Sequence, residues 1–212
     1  MYLARTPALL KPLFSGRVWN MPTKEKVLYL TFDDGPIPEV TSWVLDLLLE
    51  HGARATFFVV GNNAAKHPEL LGRIRAEGHS VGNHTWDHLN GWRTPLFTYL
   101  RNVLRTQAIT GSHLFRPPYG RITRSQSRAL GRRFDVVMWD VLAADFDTSV
   151  SEERCLRNVI ANAVAGSIIV FHDSLKAEQR LRYALPRALE HFSEAGYVFS
   201  ALPPEGIKAP RR

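Results

Sequence analysis

Short, nearly continuous apolar segments alternate with amphipathic ones along most of the chain. Segments 26–32, 54–60 and 167–171 are rich in β-branched and aromatic residues, which predicts buried strands. Segment 38–51 instead places its apolar residues at helical spacing, and Gly52 follows it as a C-terminal stop. This order of strand and helix is typical of a parallel sheet that is covered by helices.

The same pattern continues through the rest of the chain. Further strands are predicted at 79–83, 113–116, 134–139 and 197–200. Further helices are predicted at 63–77, 95–109, 124–131, 151–165 and 177–194. A chain of 212 residues is long enough for one domain with a sizeable core. We therefore expect a single α/β domain with about seven parallel strands, and periodicity alone does not choose between an open sheet and a barrel.

Charge and cysteine content narrow the possible functions. The net charge is +7, but the basic residues occur in short scattered clusters with few interleaved aromatic residues, so nucleic-acid binding is not favoured. The same charge is compatible with peripheral association with an acidic polymer or envelope surface. The single cysteine, Cys155, excludes an internal disulfide and any multi-cysteine metal site. A bound metal would therefore need histidine and carboxylate ligands.

The two ends of the chain lack recognisable targeting features. Prolines break the apolar content of the first twenty residues, and no run of about 18 apolar residues occurs anywhere. We expect residues 1–25 to form an N-terminal arm on a catalytic domain of residues 26–202, followed by a basic tail at 203–212. Without an export signal, the expected location is cytoplasmic.

Ionisable residues follow the ends of five predicted strands. These residues are Asp33 and Asp34, His84 and His88, Arg116, Asp145, and His172. In parallel α/β folds the loops at the carboxyl ends of the strands converge on one face, where functional groups gather. Stability alone does not readily explain five strand ends that each deliver an ionisable group to that face. We therefore expect these side chains to form one site.

The residue types at these strand ends suit hydrolytic metal chemistry. Adjacent carboxylates repel, so a metal on one of Asp33 and Asp34 would leave the other as a general base. His84 and His88 are four residues apart, a spacing that suits a shared metal such as Zn²⁺. Each pattern also has an ordinary explanation, since Asp-Asp-Gly-Pro is a common turn and such histidine pairs arise by chance. His172 at the end of a buried strand is a candidate general acid.

Five motifs in order resemble one protein family. They are Thr31-Phe32-Asp33-Asp34-Gly35-Pro36, His84-Thr85-Trp86-Asp87-His88, Arg116-Pro117-Pro118-Tyr119-Gly120, Trp139-Asp140-Val141 through Asp145-Phe146, and Val170-Phe171-His172-Asp173. Over roughly residues 26–200 the chain resembles the polysaccharide deacetylase family, also called carbohydrate esterase family 4 or the nodulation-deacetylase homology domain. The resemblance implies a distorted (β/α) barrel with fewer than eight strands.

The resemblance also implies roles for the residues of these motifs. Asp34, His84 and His88 would bind a divalent metal, usually Zn²⁺. Asp33 would be the catalytic base and Arg116 would orient it. His172 would protonate the leaving amine and Asp145 would hold the imidazole. The residues expected to contact the substrate are Tyr119, whose N–H would stabilise the oxyanion, together with Pro117, Phe146 and Val170.

Three positions depart from the usual family pattern. The fourth motif commonly reads Asp-x-x-Asp-Trp, but Leu142 takes the place of its first Asp and Phe146 that of its Trp. In the fifth motif Val170 replaces the usual Leu that lines the acetyl pocket. The three changes therefore alter the expected pocket wall. Asp145, which would hold the imidazole of His172, is retained.

Three functions are compatible with the sequence. The first is a zinc-dependent deacetylase acting on an N-acetylated sugar that is chitin-like, peptidoglycan-like or lipid-linked. The second keeps the metal centre but acts as an amidase or deformylase on a small or lipid-linked intracellular substrate. The third is a sugar-binding module without turnover, which the presence of both Asp33 and His172 disfavours. The oligomeric state is left open.

Overall fold

Parallel strands form the centre of the molecule. The computed structural model describes residues 3–7, 9, 11, 14 and 16–207; the last five residues of the expected basic tail lie outside this part. The strands are β1 (Arg17–Val18), β2 (Val27–Asp33), β3 (Ala55–Val59), β4 (Ser80–Asn83), β5 (Leu114–Phe115), β6 (Asp135–Val137), β7 (Val141–Leu142), β8 (Ile168–His172) and β9 (Val198–Phe199). The helices are α1 (Pro38–Glu50), α2 (Gly61–Lys66), α3 (Pro68–Ala76), α4 (Leu96–Thr110), α5 (Arg124–Leu130), α6 (Glu152–Ile160) and α7 (Glu178–Glu194).

The strands curve into a partial barrel. Eight of them follow the order β1-β6-β5-β4-β3-β2-β8-β7, and β9 pairs with the beginning of β2. All the pairings between these strands are parallel. The expected fold, a distorted (β/α) barrel in a single domain, is confirmed. None of the helices in the described part of the chain is both long enough and apolar enough to cross a bilayer.

Residues that precede β2 lie beside β6 and β7. β1 pairs with β6, while Arg5 forms an antiparallel bridge with Val141 in β7. Lys11 Nζ donates to the buried carboxylate of Asp140 at 2.6 Å. These residues thus contact β6, β7 and the turn between the two strands, which follow each other in the chain without an intervening helix.

Aromatic packing fixes the centre of the sheet. Phe32 in β2 stacks between Phe57 of β3 and Phe171 of β8, with ring centroids 5.1 and 6.2 Å apart. All three side chains are buried, and each such burial contributes about 1.5–3 kcal/mol. The register places Asp33 opposite His172 at the carboxyl ends of β2 and β8. Core packing therefore sets the relative position of these two side chains.

Three predicted elements were wrong in extent, and one of them, the helix predicted at 151–165, ends at Ile160. The helix predicted at 63–77 is two helices, α2 and α3, separated at His67. Pro68 has no backbone N–H and disfavours the helical conformation for the residue before it, and His67 has φ −127° and ψ 60°. The strand predicted at 134–139 spans only 135–137, and the separate strand β7 follows it.

Candidate metal centre and active site

A cavity of about 680 Å³ opens at the carboxyl ends of the strands. Its lining residues come from several of the loops that follow the strands: Asp33, Asp34, His84, His88, Tyr119, Arg121, Trp139, Leu142, Phe146, Val170, His172, Ser174 and Lys176. The cavity is therefore where the barrel brings the predicted strand-end residues together. Arg116 and Asp145 lie beneath its floor and are fully buried.

The turn after β2 aims two adjacent carboxylates in different directions. Asp34 adopts φ 85°, a left-handed conformation that Asp tolerates better than most residues. Gly35 follows because a Cβ there would collide with the carboxylate of Asp173. That carboxylate accepts hydrogen bonds from Gly35 N–H and Thr41 Oγ1, and Asn63 Nδ2 donates to the Asp34 carbonyl. These contacts hold the turn from both sides.

Asp34, His84 and His88 form a cluster suited to a metal ion. One ligand atom from each residue lies within 4.8 Å of the others. Asp34 Oδ1 is 3.1 Å from His88 Nε2 and 3.8 Å from His84 Nε2. Oδ1 is also buried and accepts no hydrogen bond from the described part of the chain, which is costly for a carboxylate oxygen unless a cation balances it. Two imidazoles and one carboxylate, with room left for water and substrate, form a hydrolytic ligand set.

Neighbouring groups orient both imidazoles for coordination through Nε2. His84 Nδ1 donates to the carbonyl of Arg116 at 2.8 Å, so its Nε2 lone pair faces Asp34. His88 Nδ1 is 3.1 Å from the hydroxyl of Tyr119. When Nδ1 carries the ring proton and donates it to that oxygen, Nε2 is unprotonated and can bind a metal. Such outer partners commonly fix the tautomer of a metal-ligating histidine. The sequence patterns did not point to the hydroxyl contact of Tyr119.

Burial and charge keep His84 and Asp34 in their deprotonated forms. Burial lowers the pKa of His84 to about 4, against the opposing charges of Asp33 and Asp34. Burial alone would raise the pKa of Asp34, but the contact with His88 and the nearby imidazoles outweigh it and hold the pKa below its usual range. A neutral imidazole and an ionised carboxylate are the forms that bind metal.

Asp33 is held by a buried arginine. Arg116 Nη1 donates to Asp33 Oδ1 and to Thr31 Oγ1, both at 2.7 Å, and Nη2 donates to the Met138 carbonyl at 2.9 Å. Arg116 is completely buried, and its guanidinium carbon is 4.1 Å from the ring centroid of Phe58. A charge-assisted hydrogen bond of this kind compensates a buried carboxylate and fixes its orientation. Burial lowers the pKa of Arg116, and the charge of Asp33 opposes this.

His172 is held by Asp145. Oδ1 of Asp145 is 2.8 Å from His172 Nδ1, and Oδ2 accepts from the His172 backbone N–H at 2.7 Å. Burial alone would lower the pKa of His172, but the charge of Asp145 and the hydrogen bond to it raise the pKa to about 9. Asp34 and Asp33 act in the same direction. The imidazole is thus protonated at neutral pH and can serve as an acid.

An apolar wall lies beside His172. Leu142, Ala144 and Val170 pack together, with Trp139 and Phe146 against them. The ring of Phe146 meets that of His172 edge-on at 4.9 Å. Leu142, one of the departures from the usual motif, therefore contributes to the wall. Pro117 was predicted to contact the substrate, but it is buried and does not line the cavity.

The structure adds residues that sequence reasoning did not select. Thr31 accepts from Arg116, Asp173 supports the turn at Gly35, and Arg180 Nε donates to the Asp145 carbonyl at 2.6 Å. Thr31 and Asp173 lie within two of the five family motifs, close to residues that were selected, so membership of these motifs could have identified them. Arg121 and Lys176 also line the cavity, and neither was selected from the sequence.

Fold and site define this chain as an α/β-barrel hydrolase. Residues 20–137 match the sequence model of the polysaccharide deacetylase family. A peptidoglycan-N-acetylglucosamine deacetylase of Bacillus cereus is 35% identical over 198 residues, which cover 90% of this chain and 70% of that protein. A chitooligosaccharide deacetylase of Azorhizobium caulinodans is 31% identical over 172 residues, covering 77% of this chain and 81% of that protein.

The structural comparison agrees. A crystal structure of a peptidoglycan N-acetylglucosamine deacetylase, in complex with a substituted N-oxidanyl-benzamide, has a TM-score of 0.86 to this chain at 31% identity. The match covers 98% of this chain and 100% of that one. The chain belongs to the polysaccharide deacetylase family, as its motifs indicated.

Proposed function

We propose that this protein is a metal-dependent hydrolase that removes N-acetyl groups from amino sugars of a peptidoglycan-type glycan. The observation that carries the proposal is the Asp34-His84-His88 cluster, flanked by an arginine-held carboxylate on one side and a protonated imidazole on the other. Amide hydrolysis needs a base and an acid placed on either side of the same carbonyl. Asp33 and His172, which both line the cavity, would supply them.

Asp34, His84 and His88 would hold the metal. The unpartnered oxygen of Asp34 and the two Nε2 atoms fit a divalent cation, and Zn²⁺ suits two imidazoles with one carboxylate. Such an ion, when bound, would polarise the acetyl carbonyl and lower the pKa of a coordinated water.

Asp33 would take the proton from the attacking water. Oδ1 is engaged by Arg116, which leaves Oδ2, 3.9 Å from His84 Nε2, directed at the cluster. Arg116 spans Asp33, Thr31 and the Met138 carbonyl, so it holds the carboxylate in one orientation. Fixing a base in this way contributes to catalysis because little reorganisation is needed at the moment of reaction.

His172 would give its proton to the nitrogen of the leaving amino sugar. Asp145 holds Nδ1, so the proton that can be donated is the one on Nε2. The backbone N–H of Tyr119, a residue with φ 60°, is the proposed donor to the developing oxyanion. The apolar wall of Leu142, Val170 and Phe146 would enclose the acetyl methyl group.

Sugar specificity is proposed from the relatives. Two of the proteins compared above are named as peptidoglycan N-acetylglucosamine deacetylases and one as a chitooligosaccharide deacetylase. The cationic side chains of Arg121 and Lys176 on the cavity wall favour a glycan that carries carboxylates, as peptidoglycan does, over neutral chitin.

Acetate release from a defined panel tests this function. Peptidoglycan fragments, chitooligosaccharides and an N-formylated sugar would be incubated with the protein and with an Asp33→Asn variant. We expect acetate from the peptidoglycan fragments, slower release from chitooligosaccharides, and loss of both with Asp33→Asn. No acetate from any N-acetylated glycan, or formate as the only product, would overturn the proposal.

A further inference from the structure

The positive charge of this chain is concentrated in one segment. Residues 88–134 contain no Asp, Glu or Lys, but nine arginines. The remainder of the chain holds the other 18 basic residues and all 20 acidic ones, so it carries a net charge of −2. The whole net charge of +7 therefore originates in this segment of 47 residues.

The two helices of this segment lie side by side on the barrel. They are α4 and α5, which pack together over a buried cluster that includes Tyr99, Val103 and Leu130. Gln126 in α5 donates to the carbonyls of Gly91 and Thr94, which ties α5 to the turn before α4. Of the nine arginines only Arg116 points into the core. The other eight are exposed, and we call them and the apolar residues between them the basic face: Arg93, Arg101, Arg105, Arg121, Arg124, Arg128, Arg132 and Arg133.

The arginines of the basic face have no carboxylate partner in the part of the chain that the structure describes. Arg105 lies over the ring of Trp86 at 3.7 Å and Arg121 over that of Trp92 at 5.2 Å. Elsewhere in the chain Arg73 and Arg182 both form ion pairs with glutamates. Arginines that lack nearby carboxylates repel one another, and an anionic partner would reduce this repulsion.

Acidic residues flank the segment at both of its ends. Asp87 is exposed and accepts from Asn102 Nδ2. Asp135 is buried and accepts from the Ile207 N–H, and Glu205 is exposed in the same C-terminal segment. Among the described residues, none of these three carboxylates forms an ion pair with an arginine of the basic face.

Large apolar side chains stand among the arginines. Trp92 is 65% exposed, Phe97 78% and Leu104 43%. On α4 the exposed positions Phe97, Arg101, Leu104 and Arg105 form one stripe at helical spacing. A purely ionic partner gives such apolar groups nothing to bury against. Basic residues combined with Trp, Phe and Leu on one surface are typical of helices that lie in the interface of a bilayer.

We propose that the basic face binds the surface of a bilayer that contains anionic lipids. The arginines would lie among the headgroups, while Trp92, Phe97 and Leu104 would enter the boundary with the acyl chains. Arg121 belongs to both the basic face and the cavity wall. The cavity mouth would therefore lie beside the membrane surface, next to a glycan attached to or lying against it.

Vesicle binding tests this inference without any need for turnover. The intact protein would be sedimented with vesicles of phosphatidylcholine alone and with vesicles that contain one part in four of phosphatidylglycerol. We expect binding only to the anionic vesicles, with an affinity that falls as salt is added. Equal binding to both compositions, or no binding to either at low salt, would overturn the proposal and would leave the proposed hydrolase function untouched.

Two variants with matched loss of charge test whether the basic face is the surface that binds vesicles. The triple variant Arg101→Ser, Arg105→Ser, Arg128→Ser removes three charges from the basic face. The control Lys24→Ser, Arg154→Ser, Arg157→Ser removes three exposed charges from outside it. Each basic residue near an anionic surface contributes about 1 kcal/mol, so the first variant should bind about 100-fold more weakly. Equal losses in both variants would show that net charge alone is responsible.

A charge-neutral variant separates a bilayer from other polyanions. Phe97→Ser with Leu104→Ser keeps every arginine and removes apolar area, so it should weaken vesicle binding by about tenfold. Binding of the same variant to duplex DNA, a polyanion without an apolar phase, should be unchanged. If the variant binds vesicles as well as the parent does, or if DNA is bound more tightly than vesicles, the partner is a polyanion and the bilayer assignment is wrong. Circular dichroism of each variant establishes that it is folded.

Discussion

Replacement of Asp145 by Asn isolates the electrostatic contribution to the proposed acid. The carboxylate holds His172 through the ring and through the backbone N–H, at 2.8 and 2.7 Å. Asparagine has almost the same shape and retains an oxygen that can accept from the backbone. The substitution thus removes the charge beside the imidazole while it largely preserves the packing of a completely buried side chain.

The expected magnitude follows from the pKa of His172. That pKa is raised from 6.5 to about 9, and Asp145 is the largest of the effects that raise it. Without this charge, burial should bring the pKa to its ordinary value or below. At pH 8 roughly 90% of the imidazole is protonated with a pKa of 9, and roughly 3% with a pKa of 6.5. We therefore expect kcat/KM at pH 8 to fall by about 30-fold or more.

A pH profile of kcat/KM for acetate release provides the assay. His172 acts as an acid, so activity should be lost as the pH rises through its pKa, and this alkaline limb should move down by two units or more in Asp145→Asn. Near pH 6 the two proteins should differ much less. Glu153→Gln, which removes the same charge at an exposed position, should leave the limb in place. An alkaline limb that stays where it is in Asp145→Asn would refute the assignment of His172 as the acid.

Three further substitutions test the residues that hold the site. Arg116→Lys keeps the charge but cannot reach all the acceptors of the guanidinium; we expect kcat to fall at least tenfold and the free energy of unfolding to drop by about 1–3 kcal/mol in a denaturant titration. A kcat within twofold of the parent value would contradict the positioning role. Tyr119→Phe removes the hydroxyl beside His88 Nδ1 and should weaken metal binding by about tenfold, measured by competition with a chromophoric chelator. Tyr99→Phe is its control, because the buried Tyr99 hydroxyl has no hydrogen-bond partner among the described residues; equal affinities in the two variants would show that the Tyr119 hydroxyl is not needed. Asp173→Asn weakens the acceptor of Gly35 N–H, so the turn should loosen and metal affinity should fall about tenfold in the same titration, whereas unchanged affinity would remove Asp173 from the support of the site.

Strand-end reasoning predicted where the chemistry would lie because it depends only on element order. Parallel strands deliver their carboxyl ends to one face, whatever their exact length. Asp33 and His172 were assigned to that face from the sequence, and the register places them opposite each other on β2 and β8. The short strands were harder to predict. Of the four strands with two residues each, β5 and β9 fall within predicted segments, whereas β1 and β7 were missed because two residues are too few to show periodicity.

Contacts between distant segments could not be predicted from the sequence. The hydroxyl of Tyr119 beside His88 and the carbonyl of Arg116 on His84 depend on the loop after β5 folding over the loop after β4. Pro117 shows the opposite case. It belongs to the same motif as Tyr119 and was expected to contact the substrate, yet it is buried and does not line the cavity.

Charge distribution was visible in the sequence but was interpreted too locally. Short basic clusters appear scattered when each one is counted alone. When acidic residues are counted as well, the excess of positive charge lies in one segment, 88–134, which contains no Asp or Glu. The fold then brings α4 and α5 together, so a bias along the chain becomes a bias across one surface.

A metal titration followed by acetate release tests the central proposal most directly. The protein would be freed of metal by a chelator, and Zn²⁺ would be added back in steps while bound metal and acetate release are both measured. If Asp34, His84 and His88 hold a required ion, the metal-free protein is inactive, activity rises in proportion to bound metal, and it saturates at one equivalent. Full acetate release by the metal-free protein would contradict the account.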